Sequence, residues 1–164
     1  MKVIFLDIDG VLNCASTVER CGGPFFVEDR KLAMLSSIVK TTGAKCVLSS
    51  TWRGGWLGGN NFVSAFPEVR GLFDKFNEFG IECIDKTGYS TSRGNEIKLW
   101  LNEHPEVTDF VILDDDNDMG ELEDHLVKTS WAAGLTVIEQ FECIRRLGGV
   151  ISETRTTDNE SYPQ

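Results

Sequence analysis

Asp7 and Asp9 stand one residue apart, directly after the apolar run of residues 2–6. Residues i and i+2 of an extended chain share a face, so both carboxylates would point the same way. They repel unless a cation lies between them or one of them keeps its proton. Either outcome is chemistry. A hard cation such as magnesium takes oxygen ligands and leaves coordination positions for a phosphate, and a carboxyl that holds its proton is a general acid. Gly10 lets the chain turn sharply behind the pair. Taken alone, Asp-Ile-Asp-Gly reads equally well as two caps on a turn after a strand.

A second acidic run shifts that balance. Asp114, Asp115, Asp116, Asn117 and Asp118 follow the apolar residues 110–113 just as Asp7 follows residues 2–6. If both apolar runs are parallel strands of one sheet, both acidic tips arrive at its carboxyl edge, where open α/β sheets bind their ligands. So dense a negative charge calls for a metal. A calcium loop is the obvious rival, since Asp114, Asp116 and Asp118 match its first three ligand positions. Its sixth position would be Met119 where glycine is required, and its twelfth His125 where glutamate is required. Cys14 and Arg20 have the spacing of a cysteine-dependent phosphatase loop, but Glu19 would oppose a phosphate and Cys21-Gly22-Gly23-Pro24 opens no helix to supply anion-binding amides.

The elements that must position these tips follow from hydrophobic spacing. Residues 2–6, 44–48, 81–84, 110–113 and 126–129 are short apolar runs with the length of buried strands. Between them, Leu32, Leu35, Ile38 and Val39 recur at helical spacing before Gly43. A helix broken near Pro67 runs through Leu72, Phe73, Phe76 and Phe79 to Gly80. Ser92 caps a helix with Ile97, Trp100 and Leu101 inside. Thr136 and Glu139 form a capping box for a last helix with Val137, Phe141, Ile144 and Leu147 inside. Residues 13–27 read as a flap beside the first strand, and the glycine-rich residues 54–59 as a loop. Strand and helix alternate without internal repeats, which predicts a parallel α/β sheet with helices on both faces. The expected organisation is one domain over residues 1–151 and a polar, disordered tail over 152–164.

Composition bounds the function. The 164 residues are 41% hydrophobic and suffice for one real core. A formal charge of −10 disfavours extended binding along a nucleic-acid duplex. Five cysteines in odd number, without a C-x-x-C pair, argue against a disulfide framework. Cys46 and Cys83 lie in strand-like runs and read as small buried hydrophobes. No stretch has the apolar length of a signal peptide or a membrane span, so the expectation is a soluble cytoplasmic protein that binds no membrane.

Asp7-Ile8-Asp9-Gly10-Val11, Ser49 after Cys46-Val47-Leu48, a basic residue before a helix, and Asp114-Asp115 together resemble, in order and spacing, the four motifs of the haloacid dehalogenase (HAD) superfamily. The resemblance covers about residues 3–120. It implies a HAD-like Rossmannoid three-layer α/β sandwich with a minimal cap or none. It also implies that Asp7 attacks phosphorus and forms an aspartyl-phosphate, while Asp9 protonates the leaving oxygen and then activates water. Mg2+ would be held by Asp7, the backbone carbonyl of Asp9 and Asp114, with Asp115 or Asp118 assisting. Ser49, with its neighbour Ser50, matches the phosphate-binding second motif. The third motif usually offers a lysine; here Arg93, directly before the helix, fits that place, since a guanidinium can clamp two phosphate oxygens. Lys86, at the end of the third strand, is the competing candidate, and a solvated charge is the plain alternative for both.

Leu48-Ser49-Ser50-Thr51-Trp52-Arg53, with Arg93-Gly94-Asn95-Glu96-Ile97, further resembles the phosphatase domains of nucleic-acid end-repair proteins. That resemblance implies a phosphomonoesterase acting on a nucleotide or a nucleic-acid end, with Arg53 near the phosphate. Trp52 or Trp56 would either stack on a base or pack the loop against the domain. The alternatives are a phosphatase for another small phosphometabolite, and a catalytically silent domain that binds magnesium or a phosphoprotein.

Overall fold

A computed structural model of the chain describes residues 1–17, 27–56 and 67–150. Strand β1 (Lys2–Leu6) is followed by helix α1 (Asp29–Thr42), β2 (Lys45–Leu48), α2 (Pro67–Phe79), β3 (Cys83–Lys86), α3 (Arg93–Glu103), β4 (Asp109–Asp114), β5 (Leu126–Lys128) and α4 (Val137–Arg146). The five strands form one sheet in the order β3-β2-β1-β4-β5, and every neighbouring pair is parallel. This is the α/β architecture that the alternation of apolar runs predicts.

Alternation along β1 divides the core. Ile4 and Leu6 join one cluster with Leu32 and Leu35 of α1, Phe73 and Phe76 of α2, and Cys143 and Ile144 of α4. Val3 and Phe5 join the other with Ile97 and Trp100 of α3. Side chains two apart share a face of a strand, so β1 supplies both cores and the sheet lies between two helical layers. A strand flanked on both sides and both faces is the most rigid base the fold can give to the residue that follows it.

Several boundaries differ from those read off the sequence. Pro67 is the first residue of α2, and the residues before it, where the sequence reading placed the other side of a broken helix, lie outside the described residues. Proline suits that position, because the first amide of a helix has no intrahelical partner in any case. The third strand begins at Cys83, two residues late, because the Ile81 amide donates to the Phe76 carbonyl at 2.8 Å and so still belongs to the end of α2. In α4 the capping box of Thr136 and Glu139 is present. The buried face, however, is Cys143, Ile144 and Leu147, while Val137 and Phe141 are each half exposed. Gly43 ends α1 in the left-handed region at φ 71°, as its sequence position requires.

Cys14, Cys46, Cys83 and Cys143 are buried free thiols. Among the described residues no helix is long and apolar enough to cross a membrane. Arg20 and Cys21, most of the expected flap, residues 57–59 of the glycine-rich loop and the tail lie outside the described residues.

Candidate active site

The sheet register decides which side chains meet. Leu6 pairs with Leu48 on one side and Leu113 on the other. The next residues, Asp7, Ser49 and Asp114, therefore leave the carboxyl edge at one level. The Asp7 amide donates to the Leu113 carbonyl at 3.0 Å and the Ser49 amide to the Leu6 carbonyl at 2.9 Å, so the ladder still holds the backbone where the catalytic candidates begin.

One carboxylate oxygen from each of Asp7, Asp114 and Asp115 lies within 4.8 Å of the other two. Asp114 is fully buried and Asp7 nearly so, while Asp115 is partly exposed. Gly10 makes this convergence possible. Its φ is +73°, and a Cβ there would lie 2.3 Å from Cγ of Asp115, so any side chain would push that carboxylate out of the group. The turn itself is held by Thr129, whose hydroxyl donates to the Gly10 carbonyl at 2.6 Å.

Crowding and burial alter the acids. Burial raises Asp7 above the ordinary carboxylate range, opposed by the Ser50 hydroxyl, the Arg93 guanidinium and the Ile8 amide, with the Asp9 charge adding to the rise. Asp114 is pushed up to about 7, first by burial and then by the charge of Asp7. Asp115 is raised mainly by burial, with the charges of Asp116 and Asp9 adding to it. Carboxylates held this close and this dry favour protons, or a cation in their place.

The donor set fits magnesium. It consists of hard carboxylate oxygens, and Oδ2 of Asp114 is buried without a hydrogen-bond donor among the described residues, while Oδ1 is satisfied by the Asp116 amide at 3.0 Å. Among the described residues Arg93 supplies the nearest positive charge. Its guanidinium lies 3.3 Å from Asp114 Oδ2, 3.9 Å from Asp7 Oδ1 and 3.8 Å from Glu96 Oε2.

Arg93 is aimed by its backbone. Its amide donates to Asp118 Oδ2 at 2.9 Å, and the Gly94 amide donates to the Asp118 carbonyl at 3.1 Å. A Cβ on Gly94 would sit 2.1 Å from the Met119 carbonyl oxygen, so glycine lets α3 start in contact with the second acidic loop. Asp118 thereby caps α3 and stands outside the group formed by Asp7, Asp114 and Asp115. Helix start and acidic run are locked together, and Arg93 follows from that lock.

The other expected residues divide. Ser50 brings its hydroxyl to Asp7, whereas Ser49 is fully buried and its Oγ has no partner among the described residues. The Lys86 ammonium donates to the backbone carbonyls of Arg53 and Trp56, so it braces the loop after β2 instead of reaching the acids. Arg53 is buried, donates from Nη2 to Glu96 Oε1 at 2.6 Å and lies 4.3 Å from the centre of the Tyr89 ring. Its contacts run to Glu96 and Tyr89. The Asp9 carboxylate is outside the three-acid group. Its Oδ1 accepts from Asn13 Nδ2 at 2.8 Å and its Oδ2 from the indole nitrogen of Trp52 at 3.0 Å. Trp52 and Trp56 are both buried, which favours packing over base stacking.

Sequence reasoning assigned no role to Glu96 or Asn13, and gave Trp52 a different one. Glu96, between Arg53 and Arg93, had a signal in its three-residue spacing from Arg93, which puts both on one helix face. Asn13 had a weaker one, as a residue able to fold back on an acidic turn. Its Oδ1 accepts from the Gly10 amide at 3.0 Å. For Trp52 as a partner of Asp9 there was none, because only the fold brings position 52 to position 9.

A search of the curated proteins found no match to the chain. Residues 3–139 match the model of a family described as the HAD domain in Swiss Army Knife RNA repair proteins.

Proposed function

Because this chain belongs to the family of HAD domains in Swiss Army Knife RNA repair proteins, we propose that it is a magnesium-dependent phosphomonoesterase that removes phosphate from a nucleotide or an RNA end. The observation that carries the reading is the meeting of Asp7, Asp114 and Asp115 at one sheet edge, with Arg93 and Ser50 beside Asp7.

Asp7 is the nucleophile. Its carboxylate oxygen forms a bond to phosphorus while the bond from phosphorus to the ester oxygen breaks, and the Asp9 carboxyl gives its proton to the departing oxygen. In the second step Asp9, now ionised, takes a proton from water as the water oxygen bonds to phosphorus. The acyl phosphate bond then breaks, releasing inorganic phosphate and the Asp7 carboxylate. Splitting the displacement in two lets a poor nucleophile, water, attack a reactive acyl phosphate instead of a stable ester.

Asp7, Asp114, Asp115 and the backbone carbonyl of Asp9 would hold Mg2+. When bound, the ion neutralises charge that would otherwise keep a phosphate dianion away from Asp7. Arg93 binds and orients phosphoryl oxygens through a planar, permanently charged fork. The Ser50 hydroxyl fixes the Asp7 carboxylate. The Asp118 cap on α3 holds Arg93 against drift, which matters because small misplacements lose large factors in rate.

A comparison of kcat/KM for 3′- and 5′-phosphorylated oligoribonucleotides, mononucleotides and sugar phosphates tests the substrate class. The expected order places a phosphorylated RNA end or nucleotide first, and preference for a sugar phosphate would move the activity to small-metabolite chemistry. Asp7→Asn is expected to abolish turnover with the fold intact. Retained turnover in that variant would overturn the covalent scheme.

A further inference from the structure

We propose that Trp52 is a positioning residue for the general acid, holding the Asp9 carboxyl at the leaving oxygen through its indole N–H. The inference rests on the reading that Asp9 protonates the leaving group, and it adds what keeps that carboxyl in place.

Asp9 is attached to the chain where β1 has ended and the Gly10 turn begins, so its backbone is not in a ladder. A carboxyl at such a point can rotate toward Asp7 and Asp115, where a cation would draw it in as one more ligand. Two neutral donors oppose that rotation. Asn13 Nδ2 engages Oδ1 at 2.8 Å and Trp52 Nε1 engages Oδ2 at 3.0 Å, so each oxygen is held from a different direction.

Trp52 is itself fixed. It is buried, and its backbone amide points at the Ser50 hydroxyl at 3.4 Å, in the turn that begins directly after Ser50. The loop carrying it is pinned from below by Lys86 through the carbonyls of Arg53 and Trp56. Asn13 is tied in turn to the Gly10 amide at 3.0 Å. The second motif thus has two tasks: Ser50 touches the nucleophile, and Trp52, two residues on, touches the acid. The buried indole N–H requires a partner, and the partner it meets is a carboxylate of the site.

The test is the dependence of kcat/KM on the leaving group: kcat/KM covers the step that forms the aspartyl-phosphate and not the later hydrolysis that all esters share, and in that step an acid helps only where the departing oxygen needs a proton. Wild type, Trp52→Phe and Asp9→Asn are compared on dinitrophenyl phosphate, phenyl phosphate and a nucleoside monophosphate with Mg2+ present. Trp52→Phe keeps the aromatic packing and removes the N–H. The expected result, in kcat/KM, is a loss of about 10- to 100-fold on the nucleoside monophosphate, the range for a hydrogen bond to an ionisable group, and less than about threefold on dinitrophenyl phosphate. Replacement of Trp52 by benzothienylalanine, which keeps the bicyclic shape and exchanges N–H for sulfur, is to give the same pattern even where phenylalanine loosens the loop. Equal losses on all three esters in both Trp52 variants, with Asp9→Asn still selective, would overturn the positioning role alone. A uniform loss in Asp9→Asn would instead remove the acid role on which the inference rests.

Discussion

Replacing Asp114 by Asn is expected to stabilise the protein in the absence of divalent metal, and to do so more at pH 8 than at pH 5. The carboxylate is fully buried, shares its surroundings with Asp7 and is pushed up to about 7 by burial and by that neighbour. In the unfolded chain it titrates near the ordinary aspartate value of 3.8. A folded value above the unfolded one means that stability is fully present below the unfolded pKa and is lost as pH rises through the folded pKa. Each unit of separation corresponds to about 1.4 kcal/mol. The ionised group therefore destabilises the metal-free fold by about 2 kcal/mol at pH 5 and about 4 kcal/mol at pH 8, once both states are ionised. Asparagine keeps the oxygen that accepts from the Asp116 amide and carries no charge to bury.

Thermal unfolding in EDTA is the assay. For a chain of this size about 1 kcal/mol moves Tm by roughly 3 °C, so Asp114→Asn should melt about 5 °C above wild type at pH 5 and about 10 °C above it at pH 8. Magnesium should close most of the gap at pH 8. At one hundred times its Kd it adds about 2.7 kcal/mol to the wild type and should add little to the variant. A variant that melts below wild type at pH 8 without metal, or that gains equally at both pH values, would refute the account of Asp114 as a buried acid kept for a cation.

The remaining expectations concern the supports of the site. Glu96→Gln leaves the buried Arg53 guanidinium without its carboxylate and is expected to lose about 3 kcal/mol in chemical denaturation. Gly94→Ala places a methyl 2.1 Å from the Met119 carbonyl, which should lower Tm by several degrees and separate Arg93 from Asp7, read as a fall in kcat/KM beyond the change in Tm. Gly10→Ala drives a Cβ into Asp115 and should weaken Mg2+ binding, measured by calorimetry, by at least about tenfold. Arg93→Lys cannot reach Asp7, Asp114 and Glu96 together, so kcat/KM should fall about 10- to 100-fold with little change in stability.

The carboxyl edge was legible because a parallel sheet writes itself into sequence as short apolar runs with polar ends. Residues 2–6 and 110–113 predicted β1 and β4, and their acidic tips predicted a meeting that depends only on those strands being neighbours. The position of Arg93 was legible from the helix start marked by Ser92. The contacts of the other candidates were not. Lys86 and Arg53 carry charges that a sequence can only offer to a phosphate, while the fold turns one toward backbone carbonyls and the other toward Glu96. Asp118 looked like a metal ligand because it ends an acidic run; the close approach allowed by Gly94 makes it a helix cap. The inner face of α4 was misread at Val137 and Phe141, which stand half exposed while Cys143, Ile144 and Leu147 are buried.

The charges of the site explain why these supports lie where they do. Among the described residues, Asp7, Asp114 and Glu96 all approach the single guanidinium of Arg93. Arg53 also binds Glu96, so that acid is already matched without Arg93. What remains near Arg93 is more negative than one guanidinium can balance, and Asp115 adds to it from the other side. A fully neutralised site would bind neither a cation nor, through that cation, a phosphate dianion. An unrestrained one would scatter its carboxylates by mutual repulsion. Buried strand ends, the Gly10 turn and the Glu96 clamp hold the imbalance in place, and the Asp9 carboxyl is kept apart from it by the two uncharged donors Asn13 and Trp52. On this view Glu96 protects the charge deficit: with glutamine in its place Arg93 is freer to settle on Asp7 and Asp114, so Glu96→Gln should weaken Mg2+ binding although residue 96 touches no ligand of the ion.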